Sequence, residues 1–289
     1  MLIWSKSHLL TVGEAAEKSA LQAFEKGKWQ VCVEHSTKAL EVGPNSEKLR
    51  RLRVNCATEL GDINMVYGDL RLVSSLFERF KWLTLLCSRL ASLDPSTTYL
   101  PLQLSNIAYF IRASSQAAAH IKQCLHFDPD SKPCKAVHKT IRSLEKDAAR
   151  VRNFIESGTY RQAIKILDGD DGLLVRFEKA LDDATKPKDG LPPYLAPQFH
   201  PKKNSQMRLD LYALACKASV MANDFGEKGA HWCEETMSMN EENVDSWISR
   251  GERLLRVEKW EEAMRAVEKA FELSGRSQDV SAQLTTSWT

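Results

Sequence analysis

Residues 244–275 read VDSWISRGERLLRVEKWEEAMRAVEKAFELSG, and this stretch decides the fold. Large and small residues recur in it at fixed positions, 4, 8, 11, 17, 20 and 27, held by Trp247, Gly251, Leu254, Trp260, Ala263 and Ala270. Small residues at positions 8 and 20 let two antiparallel helices approach closely, and the large residues fill the remaining gap. The pattern is typical of a 34-residue helix-turn-helix repeat. It predicts a pair of antiparallel helices.

The same pattern recurs toward the N-terminus. Good copies begin at Gly13 and Leu144, and weaker copies begin at Thr98 and Asp210. The last of these ends where the quoted stretch begins, so the two share one register. No alternating run bounded by hairpin signals competes with this interpretation. The sequence therefore predicts an all-α superhelical solenoid of antiparallel helix pairs.

The repeat register divides the chain into segments. We predict a leader at 1–12, repeats at 13–46, 47–97 and 98–131, a repeat with a long helix at 132–183, a proline-rich loop at 184–209, repeats at 210–243 and 244–277, and a tail at 278–289.

The repeat at 47–97 is longer than its register allows. Its register holds from Glu47 to Leu70, after which Pro95 arrives seventeen residues late, and deleting residues 71–87 (RLVSSLFERFKWLTLLC) restores it. Two explanations stay open: translation of a short unspliced intron, or a genuine additional helix. The apolar residues of the segment have the spacing of an amphipathic helix; they are Leu72, Leu76, Phe80 and Leu83.

A second interruption, ATKPKDGLPPYLAPQFHPKKN at 184–204, holds five of the ten prolines. Proline removes a backbone donor and blocks a helix interior, so this stretch is predicted to be a long loop. It is interpreted as a solvated insertion or, alternatively, as a docking loop that uses Tyr194, Leu195 and Phe199.

Charge and motifs exclude several function classes. The 40 basic and 38 acidic side chains give a net charge of +2, which predicts no nucleic-acid partner. No run reaches the roughly 18 apolar residues of a membrane span, and MLIWSKSHLL is a poor secretory signal. Enzyme signatures such as GxSxG, GxxxxGK[ST] and HExxH are missing, so we predict no catalytic activity and no cofactor.

Metal binding is not predicted either. The seven cysteines contain no CxxC pair, and the only neighbouring His and Cys residues are His231 with Cys233 and His120 with Cys124. A metal site needs three or four converging donors, so these are interpreted as ordinary helix residues.

Protein binding is the remaining function. The first helix of each repeat lines the inner surface of such a solenoid, where extended peptides can lie. The predicted peptide contacts at these positions are mostly apolar: Tyr99, Leu102, Asn106, Tyr109, Leu211, Leu214 and Met221. A clamp for an acidic C-terminal tail needs Lys and Asn in the first helix. Glu17 and Leu21 stand at those places, so no such clamp is predicted.

The chain resembles the tetratricopeptide-repeat region of the endoplasmic-reticulum J-domain co-chaperone, the p58 inhibitor of protein kinase family, in a fungal form. The resemblance is carried by EKSALQAFEKGKWQVCVEHSTKAL, HIKQCLHFDPDSKPCKAVHK and WISRGERLLRVEKWEEAMRAVEKAFEL, and it covers nearly the whole chain apart from 71–87 and the termini. It implies a non-catalytic scaffold that binds unfolded or extended hydrophobic polypeptide in the lumen. The alternative is a structural spacer or adaptor without client holding.

The resemblance also implies two disulfides, Cys124–Cys134 and Cys216–Cys233. The repeat register agrees with the second, because its positions 7 and 24 face each other across a helix pair. Buried free thiols stay open as an alternative for all four residues. Cys32 and Cys56 occupy small-residue core positions and are expected to be reduced.

The family pattern extends beyond this sequence. Its members carry a signal peptide, earlier repeats and a J domain with His-Pro-Asp, none of which is found here. The chain is expected to represent the central and later repeats alone. It would then reach the lumenal chaperone BiP only indirectly, through a J domain. The expected location is the endoplasmic reticulum lumen by resemblance, or the cytoplasm if the signal peptide is truly missing, where cysteines stay reduced.

Overall fold

The computed structural model describes residues 6–84, 96–188 and 190–275. The α-helices, in chain order, are α1 Lys6–Glu25, α2 Trp29–Val42, α3 Glu47–Glu59, α4 Ile63–Thr84, α5 Ser96–Asn106, α6 Ala117–Phe127, α7 Lys132–Glu156, α8 Tyr160–Leu167, α9 Leu173–Ala184, α10 Pro201–Asn204, α11 Gln206–Met221, α12 Glu227–Met239, α13 Val244–Arg256 and α14 Trp260–Leu273. A π-helical turn, Ile107–Ile111, follows α5, and a 3₁₀ turn, Pro197–Phe199, precedes α10. The described ranges contain no β-strand beyond one isolated bridge, Lys188 with Leu191. The predicted all-α fold is confirmed.

The chain forms two compact units. The first comprises Met1–Tyr109, Ser114–His138 and Ala184–Pro201. The second comprises Phe110–Ala113, Lys139–Asp183 and Lys202–Thr289. None of the described helices is long and apolar enough to cross a membrane.

In the first unit, consecutive helices pack as antiparallel pairs joined by short turns. Helix α1 packs on α2, α3 on α4 and α5 on α6, and α2 also packs on α3. Gly27 lies in the turn between α1 and α2 with a φ of +66°, which a residue with an L side chain rarely adopts. Ser46 caps α3 by accepting a hydrogen bond from the Leu49 amide. These signals are local, because each acts only on the turn or helix end beside it.

A buried ion cluster ties α3 to α4 in the first unit. Asp69 is 2% exposed and accepts hydrogen bonds from Arg50 at 2.8 Å and from Arg53 at 2.6 and 2.7 Å. Two guanidinium groups thus compensate one buried carboxylate.

The second unit repeats the arrangement with α11 on α12 and α13 on α14. Side-chain caps start both first helices: Ser205 accepts from the Arg208 amide and Asn243 from the Ser246 amide. Arg208 bonds Glu178 of α9 at 2.6 Å and Glu235 of α12 at 2.9 Å. It thereby links three helices of this unit.

Several predicted boundaries differ from the observed ones. Helix α1 begins at Lys6, inside the predicted leader, because its apolar spacing extends toward the N-terminus. Helix α11 begins at Gln206, inside the predicted loop, because Ser205 supplies its cap. Residues 1–5 of the leader and the tail at 278–289 lie outside the described residues.

The segment at 71–87 continues α4 as far as Thr84, and residues 85–87 lie outside the described part. The helical alternative offered for this segment agrees with that course. The intron hypothesis concerns the transcript and stays a prediction.

Candidate peptide-binding surface

The predicted contacts on α5 define a surface that we call the α5 face: Tyr99, Leu102, Asn106 and Tyr109. Leu102, Asn106 and Tyr109 are only 2–3% exposed, and Tyr99 is half-buried. The side-chain amide nitrogen of Asn106 donates to the Leu102 carbonyl oxygen at 2.8 Å within its own helix. After Asn106 the helix widens into the π turn, whose extra residue takes Tyr109 out of the register shared by the first three. The side chains of Leu102, Asn106 and Tyr109 are therefore closed to a partner in this structure, and peptide contact at the α5 face stays a prediction.

The α5 face is covered by part of the proline-rich loop, residues 191–199, LPPYLAPQF, which we call the docking segment. The Tyr99 hydroxyl donates to the Pro193 carbonyl oxygen at 3.1 Å. The rings of Tyr99 and Tyr194 lie 5.7 Å apart, within the range of aromatic pairs. Tyr194 also packs in one buried cluster with Leu102, Ile121, Cys124 and Cys134. The chain thus supplies its own occupant for this face.

Contacts beyond α5 fix the middle and the C-terminal part of the docking segment. The Leu195 amide donates to the Ala184 carbonyl oxygen at 3.0 Å. The side-chain amide nitrogen of Gln198 lies 3.3 and 3.2 Å from the Oε1 and Oε2 atoms of Glu59. Gly61 permits this approach, because a Cβ there would lie 2.8 Å from the Gln198 carbonyl oxygen.

Burial corrects the interpretation of the loop. Tyr194 is 7% exposed, and Leu195 and Phe199 are fully buried. The interpretation of a solvated insertion is therefore wrong for these residues. The alternative named the same three side chains as docking residues, and they dock on their own unit. A sequence cannot separate the two cases, since apolar residues in a proline-rich loop serve either.

The α5 face supplies a hydrogen-bond donor, the hydroxyl of Tyr99. Burial and the neighbouring Tyr194 raise the pKa of Tyr99 to about 12. The hydroxyl therefore keeps its proton at neutral pH and donates to the backbone carbonyl.

The predicted contacts on α11 are only partly accessible. Leu211 is fully buried, whereas Leu214 and Met221 are half-buried. Met221 borders an open cleft of about 410 Å³ together with Tyr160 and Arg161. Of the three, Leu211 belongs to the core because α11 packs on several helices of its unit.

A groove that the sequence did not indicate lies between α12 and α13. Its volume is about 310 Å³, and its walls combine Met237, Leu254 and Val257 with Arg250 and Arg253. Val257 in its wall is 62% exposed, and on α14 Trp260 and Met264 are 63% and 46% exposed. The repeat pattern assigned Trp260 to the gap between helices. It is instead the first residue of α14, so its side chain projects past the end of the pair.

The six cysteines among the described residues lie in three pairs at disulfide distance. The Cα atoms of Cys124 and Cys134 are 6.0 Å apart, and those of Cys216 and Cys233 are 4.7 Å apart, as disulfide geometry requires. These two pairings stay predictions about the oxidised protein. Cys32 and Cys56 also pair, with Cα atoms 6.2 Å apart, which contradicts the expectation that both are free. That expectation treated each repeat alone, whereas α2 stacks on α3 of the next repeat.

The histidines do not assemble a metal site. Within residues 6–84, 96–188 and 190–275, no group of three or more His, Cys, Asp or Glu side chains could hold a metal ion. The His120 Nε2 lies 3.0 Å from the Tyr67 hydroxyl, which donates to Gln116. Burial and then the charge of Arg71 lower the pKa of His120. It is a neutral packing residue at pH 7.

Comparison with known proteins relates the chain to co-chaperones. It is 93% identical over 274 residues to the tetratricopeptide repeat and J domain-containing co-chaperone DNJ1 of Cryptococcus neoformans var. grubii, covering 95% of this chain and 49% of the relative. It is 29% identical over 279 residues to the co-chaperone of the same name from Mycosarcoma maydis, covering 91% of this chain and 44% of the relative. The chain thus spans about half the length of the curated relatives it matches. No family model matches it.

A solved structure shows the same fold. The P58(IPK) TPR domain crystal structure superposes with a TM-score of 0.62 at 20% identity, covering 96% of this chain and 64% of that one. The likeness identifies the chain's architecture as a tetratricopeptide-repeat solenoid.

Proposed function

From its homology to the tetratricopeptide repeat and J domain-containing co-chaperones, we propose that this chain is a non-catalytic scaffold that binds unfolded or extended hydrophobic polypeptide in the endoplasmic reticulum. The homology supports a protein-binding co-chaperone scaffold. Client binding, the lumenal location and a link to BiP through a J domain are the parts that the proposal adds.

One observation carries the proposal: the α5 face holds Pro193 and Tyr194, which belong to a stretch of chain outside any helix. It does so through one hydrogen bond to a backbone carbonyl, an aromatic pair and a buried apolar cluster. Contacts of this kind depend on the peptide backbone and on general apolarity, so they suit clients of varied sequence.

Suppression of aggregation tests client holding. The purified chain is added to a denatured model client in increasing amounts, up to an equal molar ratio, and light scattering is followed. The proposal expects scattering to fall in proportion to the chain added. The matched control is an equal amount of the chain unfolded and alkylated, which separates folded surface from bulk protein. Scattering unchanged by the folded chain contradicts client holding.

Mass mapping of cysteines tests the lumenal location. The chain is expressed in an oxidising compartment, alkylated and digested without reductant. The proposal expects Cys124–Cys134 and Cys216–Cys233 bridges, and the structure adds Cys32–Cys56. Six alkylated thiols at these positions would remove the residue-level support for an oxidising location.

A spacer or adaptor is the second candidate function. It is favoured by the burial of Leu102, Asn106, Tyr109 and Leu211, which leaves little of the predicted stripe accessible. Such a spacer would leave client aggregation unchanged while still fixing the distance between other parts of a longer chain.

A further inference from the structure

We propose that the docking segment is an autoinhibitory ligand of the α5 face, and that this face recognises proline-rich extended polypeptide with a tyrosine after the prolines. The inference rests on the proposed function, since it names the regulation and ligand class of the same surface. It follows from what the docking segment is made of and how it is held.

The ligand class follows from the contacts at Pro193 and Tyr194. Proline has no backbone N–H, so the segment Leu-Pro-Pro leaves carbonyl oxygens as its main polar groups. The Tyr99 hydroxyl donates a hydrogen bond to one of them, the Pro193 carbonyl oxygen, at 3.1 Å. Aromatic side chains that donate to carbonyls are how grooves bind proline-rich extended chains.

Specificity follows from the residue after the prolines. Tyr194 stacks 5.7 Å from Tyr99 and enters the cluster of Leu102 and Ile121, where it is 7% exposed. The pocket for this ring already exists between α5 and α6. A client segment with the same order of residues would place its ring there once Tyr194 leaves.

Release concerns the Pro193–Tyr194 stretch, because the rest of the docking segment stays anchored. Leu195 and Phe199 are fully buried, and Gln198 contacts the exposed Glu59. Pro192 and Pro197 are exposed, so the segment lies on the unit as a strap with one face to solvent. A strap of this kind competes with free peptide through its high local concentration.

Competition sets the expected size of the effect. A tethered segment at an effective concentration of about 1 mM weakens the binding of a free peptide, with a dissociation constant of about 50 μM for the same site, by roughly twentyfold. Releasing the docking segment should restore the lost affinity.

The experiment measures fluorescence anisotropy of a labelled peptide, LPPYLAPQF, with the full chain. The releasing variant is Tyr194→Ser, and the matched control in the same loop is Lys188→Ala, which alters an exposed residue outside the docking segment. We expect Tyr194→Ser to bind the peptide about twentyfold more tightly than the wild type, and Lys188→Ala to bind like the wild type. The peptide LPPSLAPQF should bind none of them.

Further variants keep the test decisive if Tyr194→Ser folds poorly. Gln198→Ala releases the rim contact without touching the cluster, and a severalfold gain in binding is expected. Adding Tyr99→Phe to either variant removes the donor while keeping the ring, and should weaken binding about fivefold. Folded releasing variants, judged by circular dichroism, that bind the peptide no more tightly than the wild type overturn the proposal.

Aggregation suppression by the same variants separates this inference from the proposed function. A wild-type chain that holds clients, with Tyr194→Ser holding no more, contradicts autoinhibition and leaves the proposed function standing. A variant that gains peptide binding while no form of the chain suppresses aggregation supports the α5 ligand and contradicts general client holding.

Discussion

Replacing Gly229 by alanine should destabilise the second unit, whereas the same change at Gly68 should stabilise the first. Both glycines lie within helices, Gly229 in α12 and Gly68 in α4. A Cβ on Gly229 would lie 2.6 Å from the Asp224 carbonyl oxygen and 3.1 Å from the Ser219 Cβ. Nothing lies within 4 Å of a Cβ on Gly68. The pair therefore separates close packing from intrinsic helix propensity.

The magnitudes follow from two opposing effects. Alanine is favoured over glycine in a helix by at most about 1 kcal/mol. Overpacking against a backbone atom costs about 1–3 kcal/mol, because the turn between α11 and α12 has to move. Gly229→Ala is therefore expected to lose about 1–2 kcal/mol, and Gly68→Ala to gain about 0.5–1 kcal/mol.

Urea unfolding combined with amide hydrogen exchange measures both variants. Exchange is needed because a repeat array does not have to unfold in one step, and it assigns the change to a helix pair. Protection should fall across α11 and α12 in Gly229→Ala and rise in α3 and α4 in Gly68→Ala. The packing argument is refuted if Gly229→Ala is as stable as the wild type with unchanged protection in α11 and α12.

Three further outcomes are expected. Asp69→Asn should cost about 3 kcal/mol of unfolding free energy in urea titration, because it leaves Arg50 and Arg53 without a carboxylate, whereas Glu47→Gln at the exposed Arg51 pair should cost under about 0.5 kcal/mol. Burial alone would raise the pKa of Asp147, but the hydrogen bonds and charges of Arg176 and Arg150 lower it from 3.8. The stability this contributes is present above about pH 4 and is lost as pH falls through the folded pKa, so the urea midpoints of wild type and Arg176→Gln should converge as the pH is lowered through that range. Ser205→Ala should cost about 1 kcal/mol and reduce hydrogen-exchange protection in the first turn of α11, while Ser157→Ala, at an exposed turn, should change neither.

Local spacing accounts for the part of the fold that the sequence predicted. Gly251 and Ala263 mark the close approach of α13 and α14, and the same spacing located the other helix pairs. Capping residues such as Asn243 and Ser205 act on their own first turn. The repeat register did not include these caps, so α11 begins inside the predicted loop, directly after Ser205.

The sequence named the side chains that meet on the α5 face, but it did not predict that they meet. Position within the repeat placed Tyr99, Leu102 and Asn106 on one face of α5, and composition singled out Tyr194, Leu195 and Phe199. Nothing in either pattern joined the two sets, because Tyr99 and Pro193 are 94 residues apart. The Cys32–Cys56 pairing was missed for a similar reason, since it depends on the stacking of one repeat on the next.

The sequence by itself determined that the chain folds into helix pairs with a 34-residue period, because the spacing of small and large residues acts within one or two turns of helix. Only the tertiary structure decided that the docking segment covers the α5 face, that three cysteine pairs come within bonding distance, and that Trp260 projects to solvent. These outcomes depend on which surfaces meet after the repeats stack. The free energy of such contacts comes from apolar burial between residues that are distant in the sequence.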